Sequence, residues 1–397
     1  MKIGLVGAPS QGKSTFFKAA TLAEVEIANY PFTTIKPNTG TGYVKLDCVD
    51  KEFKKQCNPR SGYCIKGYRF VPVELFDVAG LVPGAHEGKG MGNQFLEDIR
   101  QTDALIHVID ISGKTNEKGE IVENHDPAIN VKFLEVELDM WYFGILNKGW
   151  EKLARTMQQE KGAVSKVLAK QLNAFNVDED MVKVAVNHFK LDPANPIKWE
   201  SSDLLLLAKY FREKTKPMIV ACNKIDLSSG KENFERLKKE FPTYKFVACS
   251  ADSEIALKEA AKHNLISYVP GDSKFTIIDP TKLNDKQKNA LTFIKEQVLD
   301  KFGSSGVQEI LDRAVFELLG YKAIYPGGVG KLTDSDGNVL PDCFLMPGKA
   351  TALDFAYKLH TDFGKNFIKA VNVKTRLPIG KDFVLSNRDV IEIMSSK

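Results

Sequence analysis

The amino-acid sequence predicts an α/β protein with a doubly wound, mostly parallel sheet, a helical insert and a small C-terminal β module. Near-continuous apolar runs at residues 3–6, 73–76 and 104–109 alternate with helical stretches. Such runs are typical of strands buried on both faces, and their alternation with helices indicates a parallel sheet. A glycine-rich loop directly after the first run is the third observation, since phosphate-binding loops join a strand to a helix in this fold.

The span between Asp110 and Met218 is too long for a simple crossover between parallel strands, which needs only about a dozen residues. It opens with a polar stretch, residues 112–126, that we interpret as a mobile loop. Apolar residues then recur at spacings of three and four, which indicates helices. These residues include Val131, Leu134, Leu138, Trp141 and Ile145. The span therefore predicts a helical domain inserted into the sheet domain.

The C-terminal part of the chain changes character at the glycine-rich stretch 326–330. Strand-like residues 331–333 and 343–346 flank a turn at Asp336-Gly337, Thr351 can cap a short helix, and strands are expected at 367–373 and 390–394. We therefore predict three domains. They are a sheet domain with C-terminal helices (residues 1–111 and 217–320), a helical insertion domain (112–216) and a small mixed domain (321–397).

Composition places few restrictions on function. Of the 397 residues 43% are hydrophobic and 27% are charged, which is ordinary for a soluble globular protein. The net charge of +4 permits an RNA or ribosomal partner without requiring one. No apolar run approaches the roughly 18 residues that a membrane span needs, and no signal peptide is evident. We expect a cytoplasmic monomer without membrane contact.

Two local features leave alternatives open. Cations are frequent between Lys148 and Lys170, which suggests either an RNA-binding helical face or, more simply, a solvated one. The six cysteines lack the paired CxxC spacing of common zinc sites, so we predict reduced, unliganded thiols. A local disulfide or metal clip among Cys48, Cys57 and Cys64 is the alternative.

The strongest motif is the stretch Gly-Ala-Pro-Ser-Gln-Gly-Lys-Ser at residues 7–14, which matches GxxxxGK[ST] and precedes a credible helix. Backbone N–H groups of such a loop surround phosphate oxygens, the lysine neutralises charge on the outer phosphates, and the serine hydroxyl binds Mg²⁺. The predicted phosphate-binding residues are Gly7, Ala8, Pro9, Ser10, Gln11, Gly12, Lys13, Ser14 and Thr15.

Further residues are predicted around the γ-phosphate. Asp77 directly follows an apolar strand and can hold Mg²⁺ through water, and Gly80 can donate its N–H to the γ-phosphate. Thr33 and Thr34 compete as the second hydroxyl ligand of Mg²⁺, and we favour Thr34. The predicted metal ligands are therefore Ser14, Thr34 and Asp77, and the predicted catalytic residues are Lys13, Thr34 and Gly80.

The residue after Gly80 is Leu81, which cannot orient an attacking water as glutamine does in Ras-like proteins. His86 is a nearby substitute, although a lone loop histidine is more often merely solvated. We therefore expect slow intrinsic hydrolysis that a partner can accelerate.

Asn223-Lys224-Ile225-Asp226 follows another apolar strand. The Asp226 carboxylate can accept from both N1–H and the 2-amino group of guanine, whereas adenine would leave it unpaired. Asn223 would brace the loop and touch the base, Lys224 would pack along the ring, and Ser250-Ala251 would supply an N–H to the guanine oxygen. These motifs together predict GTP as the nucleotide.

At these motifs the sequence resembles the Obg-type translation-factor GTPases, near the Obg-like ATPase branch. Residues 30–34, 77–80 and 84–96 carry the resemblance, and the run 88–96 is its most specific part. The C-terminal domain resembles a TGS domain of the β-grasp type. The resemblance covers nearly the whole chain and implies a P-loop NTPase fold, GTP rather than ATP, and a ribosomal or RNA contact through the insert and the TGS-like domain. Ser10 stands where some relatives have an asparagine that helps hold K⁺, so K⁺ stimulation is doubtful.

The sequence therefore predicts an Mg²⁺-dependent GTP-hydrolysing switch that reports its nucleotide state to a ribosome or RNA. An ATPase on the same scaffold is the first alternative. A binding module, in which the insert and the TGS-like domain act and hydrolysis is incidental, is the second.

Overall fold

The computed structural model describes residues 1–22, 38–78, 80, 84, 92–159 and 164–396, and only the backbone of residues 92–94 and 96. The chain forms two compact units. The first contains Met1–Phe17 and Leu75–Ala251, and the second contains Lys18–Glu74 and Asp252–Lys397. The three predicted domain boundaries stay a prediction.

The strands are β1 Lys2–Val6, β2 Thr39–Asp47, β3 Tyr63–Ile65, β4 Tyr68–Asp77, β5 Ala104–Asp110, β6 Met218–Asn223, β7 Lys245–Ala248, β8 Ile266–Tyr268, β9 Phe275–Ile277, β10 Lys322–Pro326, β11 Phe344–Met346, β12 Phe367–Asn372, β13 Leu377–Ile379 and β14 Val390–Ser395.

The α-helices are α1 Lys13–Thr21, α2 Gly92–Arg100, α3 Pro127–Asn147, α4 Trp150–Gln159, α5 Val164–Gln171, α6 Glu179–His188, α7 Ser201–Thr215, α8 Gly230–Glu240, α9 Ala251–Lys262, α10 Asp285–Phe293, α11 Asp300–Phe302, α12 Val307–Asp312, α13 Ala352–Leu359 and α14 Thr361–Lys365. Short π-helical turns, Ile294–Leu299 and Arg313–Leu318, follow α10 and α12.

The first unit is organised around a parallel sheet with the strand order β1-β5-β6-β7. Every residue of β5 and β6 is buried, as their continuous apolar sequences predict. The Val78 N–H donates to the Leu5 carbonyl at 3.1 Å, which places the end of β4 beside β1. The carboxyl ends of these strands therefore lie along one edge of the sheet, where doubly wound folds bind ligands. The predicted fold class is confirmed.

The predicted insert consists of α3 to α7 and has its own apolar core, which includes Tyr142, Leu146 and Phe211. Asp126 caps α3 by accepting from the Ala128 N–H at 3.0 Å. In the described part of the basic stretch, the side chains of Lys148, Lys152, Arg155, Lys166 and Lys170 are exposed. The apolar side chains between them are buried, as at Trp150, Met157 and Leu168, or partly buried, so the cations occupy the solvated face of amphipathic helices.

The second unit contains β2, the antiparallel pair β3–β4 and a mixed five-stranded sheet ordered β11-β10-β14-β12-β13. Phe355 of α13 packs on this sheet with Ile324 and Ile391, and Thr351 caps α13 as predicted. The predicted strand at residues 331–333 is wrong. These residues form only one bridge, Thr333 to Val339, because Asp334 folds the intervening turn onto itself by accepting from the N–H groups of Asp336 and Asn338.

No helix within the described ranges combines the length and apolar character that would let it cross a membrane.

Candidate nucleotide-binding site

The loop between β1 and α1 has the backbone shape of a phosphate-binding loop. Gly7 and Gly12 have φ angles of +150° and +93°, and Ser10 has a φ of +61°. A Cβ on Gly7 would lie 2.4 Å from the Val108 carbonyl oxygen, and one on Gly12 would lie 2.1 Å from Asn223 Nδ2. Both positions therefore require glycine for space as well as for conformation.

Lys13 is the first residue of α1, so its position combines a helix N-terminus with a cationic side chain. Burial lowers the pKa of Lys13, and the nearby Asp77 carboxylate partly opposes this by raising it. A partly buried ammonium beside a loop of N–H groups is a strong site for a polyanion.

Ser14 and Asp77 meet beside Lys13. The Ser14 hydroxyl donates to Asp77 Oδ2 at 3.1 Å, and Asp77 Oδ1 is buried and lacks a hydrogen-bond partner among the described residues. A buried carboxylate oxygen without a donor, beside a free hydroxyl oxygen, fits the oxygen-only ligand set that Mg²⁺ prefers. These two residues could hold the ion.

The predicted γ-phosphate residues are only partly described. Gly80 lies against the phosphate loop, because a Cβ on Gly80 would be 3.3 Å from Pro9 Cγ. Gly80 therefore lies beside Pro9 of the phosphate loop, and the predicted contact of its N–H with the γ-phosphate stays a prediction. Thr33, Thr34, Leu81 and His86 lie outside the described residues, so their predicted roles stay predictions.

Asn223, at the end of β6, connects the phosphate loop to the Ser250-Ala251 segment. Its Nδ2 donates to the Gln11 carbonyl at 3.2 Å, and its Oδ1 accepts from the Ala251 N–H at 3.1 Å. Asn223 is only 2% exposed. The Asn223 amide thus fixes the relative positions of three predicted nucleotide-binding segments, namely the phosphate loop, residues 223–226 and Ser250-Ala251.

Lys224 extends over the phosphate loop. Its ammonium donates to Asp110 Oδ2 at 2.7 Å and to the Ser10 carbonyl at 3.2 Å, and its backbone has a φ of +62°. The ammonium is fixed at one end by a buried carboxylate, so the aliphatic part of the side chain can present a flat apolar surface to a base ring.

Asp226 is half-buried, and within the described ranges its carboxylate accepts no hydrogen bond and forms no ion pair. The preceding Ile225 N–H donates to the Cys249 carbonyl at 3.1 Å, which ties this loop to the Ser250-Ala251 segment. The carboxylate therefore keeps both acceptor oxygens for a ligand.

The chain is similar to known proteins over nearly its whole length. Residues 2–136 match the family model of the 50S ribosome-binding GTPases, residues 221–328 match the G4 motif-containing domain of the YGR210-like Obg-like GTPases, and residues 331–395 match the TGS domain. An uncharacterised GTP-binding protein of Methanocaldococcus jannaschii is 50% identical over 395 residues, with 99% of each chain covered. This chain belongs to the Obg-like GTPases.

Other proteins resemble it at lower identity. The ribosome-binding ATPase YchF of Bacillus subtilis is 26% identical over 98% of this chain and 97% of its own. The crystal structure of a GTP-binding protein from Pyrococcus horikoshii has a TM-score of 0.79 at 38% identity and covers both chains completely. The predicted resemblance to this family, including the TGS domain, is confirmed.

In this Obg-like GTPase two residues, Gln11 and Asp110, have supporting roles that were not predicted from the sequence. Gln11 was predicted to bind nucleotide, but its buried side chain donates to Thr115 Oγ1 and the Asn116 carbonyl, both at 3.1 Å. Only its backbone is left for a phosphate. Asp110 is completely buried and holds Thr115 and Lys224 through Oδ2. The sequence offered one signal for Asp110, because it is a carboxylate at the end of an apolar strand, as Asp77 is.

The same contacts change the interpretation of residues 112–126, which were expected to form a mobile loop. Asp110 Oδ1 accepts from the Ser112 N–H at 3.0 Å, and Thr115 pairs with Ile121 in an isolated bridge. A Cβ on Gly119 would lie 2.6 Å from Pro9 Cβ. The loop therefore packs on the phosphate loop at Pro9, and it holds the Gln11 side chain.

Replacing Asn223 with alanine should lower guanine-nucleotide affinity by about 10- to 100-fold, because the Ala251 N–H and the Gln11 carbonyl each lose a buried partner at a cost of about 1–3 kcal/mol. Isothermal titration with GDP measures the change. Asn372→Ala is the matched control, since Asn372 of β12 is a buried asparagine in the second unit that also donates and accepts. Its Nδ2 donates to Asp389 Oδ1 at 3.0 Å, and its Oδ1 accepts from the Lys374 N–H at 3.1 Å. Equal affinity in Asn223→Ala and the native protein would contradict the bracing role.

Proposed function

We propose that this protein binds GTP with Mg²⁺ and hydrolyses it to GDP and phosphate as a molecular switch. The observation that carries the proposal is the pair of bonds from Asn223 to Gln11 and Ala251, which joins the phosphate loop to the base-reading segments. A loop that only bound an anion would have no need of this connection. A site that reads the base and the phosphates of one nucleotide requires both ends at a fixed spacing.

The proposed roles of the residues follow from their positions. Lys13 offsets the charge that develops on the γ-phosphate and the β–γ bridging oxygen. Ser14 and Asp77, with Thr34, would position Mg²⁺, and the Gly80 N–H would contact the γ-phosphate. When bound, Mg²⁺ neutralises charge on the β- and γ-phosphate oxygens. Water attacks the γ-phosphorus as the bond to the β-phosphate oxygen breaks, so GDP leaves.

The intrinsic reaction is expected to be slow. Leu81 has no group that can orient the attacking water, and His107 of β5 cannot assist as a base that cycles near neutral pH, because burial lowers its pKa to about 3. Acceleration would then come from a partner, and groups supplied by partners recover up to about 10⁵-fold in related systems.

Selectivity for GTP is proposed from Asp226, whose carboxylate has two unoccupied acceptor oxygens for the N1–H and 2-amino donors of guanine. The alternative of an ATPase is favoured by one observation, namely that relatives 26–28% identical are named ribosome-binding ATPases. This chain keeps Asn223, Lys224 and Asp226 together, and its relative at 50% identity is named a GTP-binding protein.

Titrations with GTP, GDP, ATP and ADP, each with and without Mg²⁺, test the proposal directly. We expect GTP and GDP to bind at least about 10²-fold more tightly than their adenine counterparts, because a site built on paired hydrogen bonds rejects a base that leaves them unpaired. Hydrolysis should require Mg²⁺ and should not need K⁺, since Ser10 replaces the asparagine of K⁺-stimulated relatives. Tighter binding of ATP than of GTP would establish the alternative.

A ribosomal partner is proposed from the names of the YchF relatives and from the exposed cations of α4 and α5, such as Lys152, Arg155 and Lys166. Co-sedimentation with purified ribosomes should be stronger with a non-hydrolysable GTP analogue than with GDP, and weaker at high salt because the contact is with phosphates. If Lys13→Ala abolishes hydrolysis and binding is the same with either nucleotide, the protein is a binding module instead.

A further inference from the structure

The second unit contains a compact group of soft metal-binding side chains that takes no part in the nucleotide site. Cys48, Asp50, Cys57 and Cys64 each direct one ligand atom into the group, and all four atoms lie within 4.8 Å of one another. Cys48, Asp50 and Cys57 are buried, and Cys64 is half-buried. Three thiols and a carboxylate around one point form a tetrahedral ligand set.

The distances fit a bound ion better than a covalent bridge. Cys48 Sγ and Cys57 Sγ are 3.5 Å apart, and all six cysteines of the chain are free thiols. A disulfide would bring the sulfurs to about 2 Å. Two sulfurs on one tetrahedral zinc, each about 2.3 Å from it, lie about 3.8 Å apart. Zinc would thus need these sulfurs to move by only a few tenths of an ångström.

Asp50 is oriented as a ligand. Its Oδ1 accepts from the Lys51 N–H at 2.7 Å, and its Oδ2 accepts from the Cys57 N–H at 3.2 Å while lying 3.9 Å from Cys64 Sγ. A sulfur and an oxygen on one tetrahedral zinc are about 3.5 Å apart. Backbone donors that fix a carboxylate are the usual outer contacts of a metal ligand.

A buried cation gives an independent indication of negative charge here. Arg69 is fully buried, and its guanidinium donates to the Leu340 and Pro341 carbonyls at 3.1 and 2.8 Å. Within the described ranges it forms no ion pair with a carboxylate, and its Nε has no partner. The strongest electrostatic interactions of Arg69 with titratable groups are, in order, those with Cys343, Tyr325, Cys57 and Cys48. A buried guanidinium without an anion is costly, and thiolates on a metal would supply that anion.

The local fold explains why the four residues meet. Cys48 follows β2 and begins the short 3-10 helix Val49–Phe53, Lys54 reverses the chain in the left-handed conformation, and Cys64 lies on β3. The Cys48 N–H donates to the Gly67 carbonyl at 2.9 Å, which closes the segment. The stretch between residues 54 and 62 contains no regular element. Its Lys55 N–H donates to the Asp50 carbonyl at 3.0 Å, and a metal would add a further connection between this stretch and the 3-10 helix.

We propose that Cys48, Asp50, Cys57 and Cys64 bind one Zn²⁺ ion that stabilises the segment 48–67. Three thiols each lose a proton to solvent on binding, the carboxylate is already ionised, and no electron is transferred. The site is structural rather than catalytic, since four protein ligands leave no open position. Arg69 offsets part of the net negative charge of the zinc and its ligands.

The wild-type full chain tests the proposal without any substitution. Protein purified under reducing conditions should contain about one zinc per chain by elemental analysis. After removal of zinc with a chelator, added Co²⁺ should produce the intense visible absorption of tetrahedral cobalt together with thiolate-to-cobalt charge-transfer bands. Protein that holds neither metal after reduction would overturn the proposal. So would a thiol titration of unreduced, denatured protein that finds four thiols instead of six, because that result indicates a disulfide.

Variants then locate the ion. Cys57→Ser should weaken zinc affinity by more than about 100-fold, since changes of outer contacts alone cost roughly 10- to 100-fold. Asp50→Asn should retain cobalt charge-transfer bands from the three thiolates and change the visible bands. Cys343→Ser, the same substitution in the same unit, should bind zinc normally and shows whether the exchange itself is tolerated. Unchanged zinc affinity in Cys57→Ser would place the ion elsewhere and reject the site.

Discussion

Lys13→Ala is expected to lower GTP hydrolysis by at least about 10²-fold, the cost of removing one preorganised electrostatic contact from a transition state. Lys13 is the one side-chain cation within the phosphate loop, and it begins α1. Its burial lowers its pKa, which shows that its surroundings are less polar than water. The attraction between its ammonium and a phosphate is therefore stronger there than it would be at the surface. Alanine has the highest helix propensity, so α1 should persist.

Single-turnover release of phosphate measures this effect. Lys18→Ala is the matched control, because Lys18 is an exposed lysine on the same helix. The control should keep the native rate, and both variants should keep the native circular dichroism spectrum. A Lys13→Ala protein that hydrolyses GTP at the native rate would remove the phosphate loop from the mechanism.

Asp226→Asn is expected to lower the ratio of GTP affinity to ATP affinity by about 10²- to 10⁴-fold. The asparagine side chain offers one acceptor oxygen and one NH₂ donor group. Its NH₂ would therefore face a guanine donor from which the carboxylate accepts, and one hydrogen bond would be lost. Because Asp226 is only half-buried and makes no hydrogen bond within the described part of the chain, its replacement should leave the free energy of unfolding nearly unchanged.

Competition of GTP, ATP and xanthosine triphosphate against a labelled nucleotide measures this change. Xanthine has a carbonyl where guanine has its 2-amino group, so the asparagine NH₂ can donate to it, and xanthosine triphosphate should gain affinity as GTP loses it. Asp180→Asn, which alters an exposed carboxylate of α6, should change neither. Unaltered GTP preference in Asp226→Asn would show that the base is read elsewhere and would leave the ATPase alternative open.

Local sequence was sufficient for the sheet and for the phosphate loop. The strands β1, β5 and β6 are recognisable because a strand buried on both faces has no polar positions, which makes its signal independent of its neighbours. Gly7 and Gly12 are likewise recognisable, because no other residue tolerates their φ angles and close contacts.

Local sequence was insufficient where a residue depends on partners that are distant along the chain. Gln11 looked like one more phosphate-loop residue, yet its side chain bonds Thr115, 104 residues away. Residues 331–333 looked like the strand that precedes the turn before residues 343–346. Strand β11 at Phe344–Met346 pairs instead with β10 at Lys322–Pro326, which lies earlier in the chain.

By itself the sequence determined the fold class, the family and the order of the nucleotide-binding motifs, because each depends on short stretches whose chemistry is self-contained. Only the tertiary structure decided that Asn223 joins Gln11 to Ala251, and that Cys48, Asp50, Cys57 and Cys64 lie within 4.8 Å of one another. The spacing of those cysteines matches no familiar zinc pattern. The fold of the segment 48–67 brings them together, through the 3-10 helix after β2, the left-handed Lys54 and β3. The conformation of such an irregular segment depends on backbone angles and hydrogen bonds that residue spacing alone does not reveal.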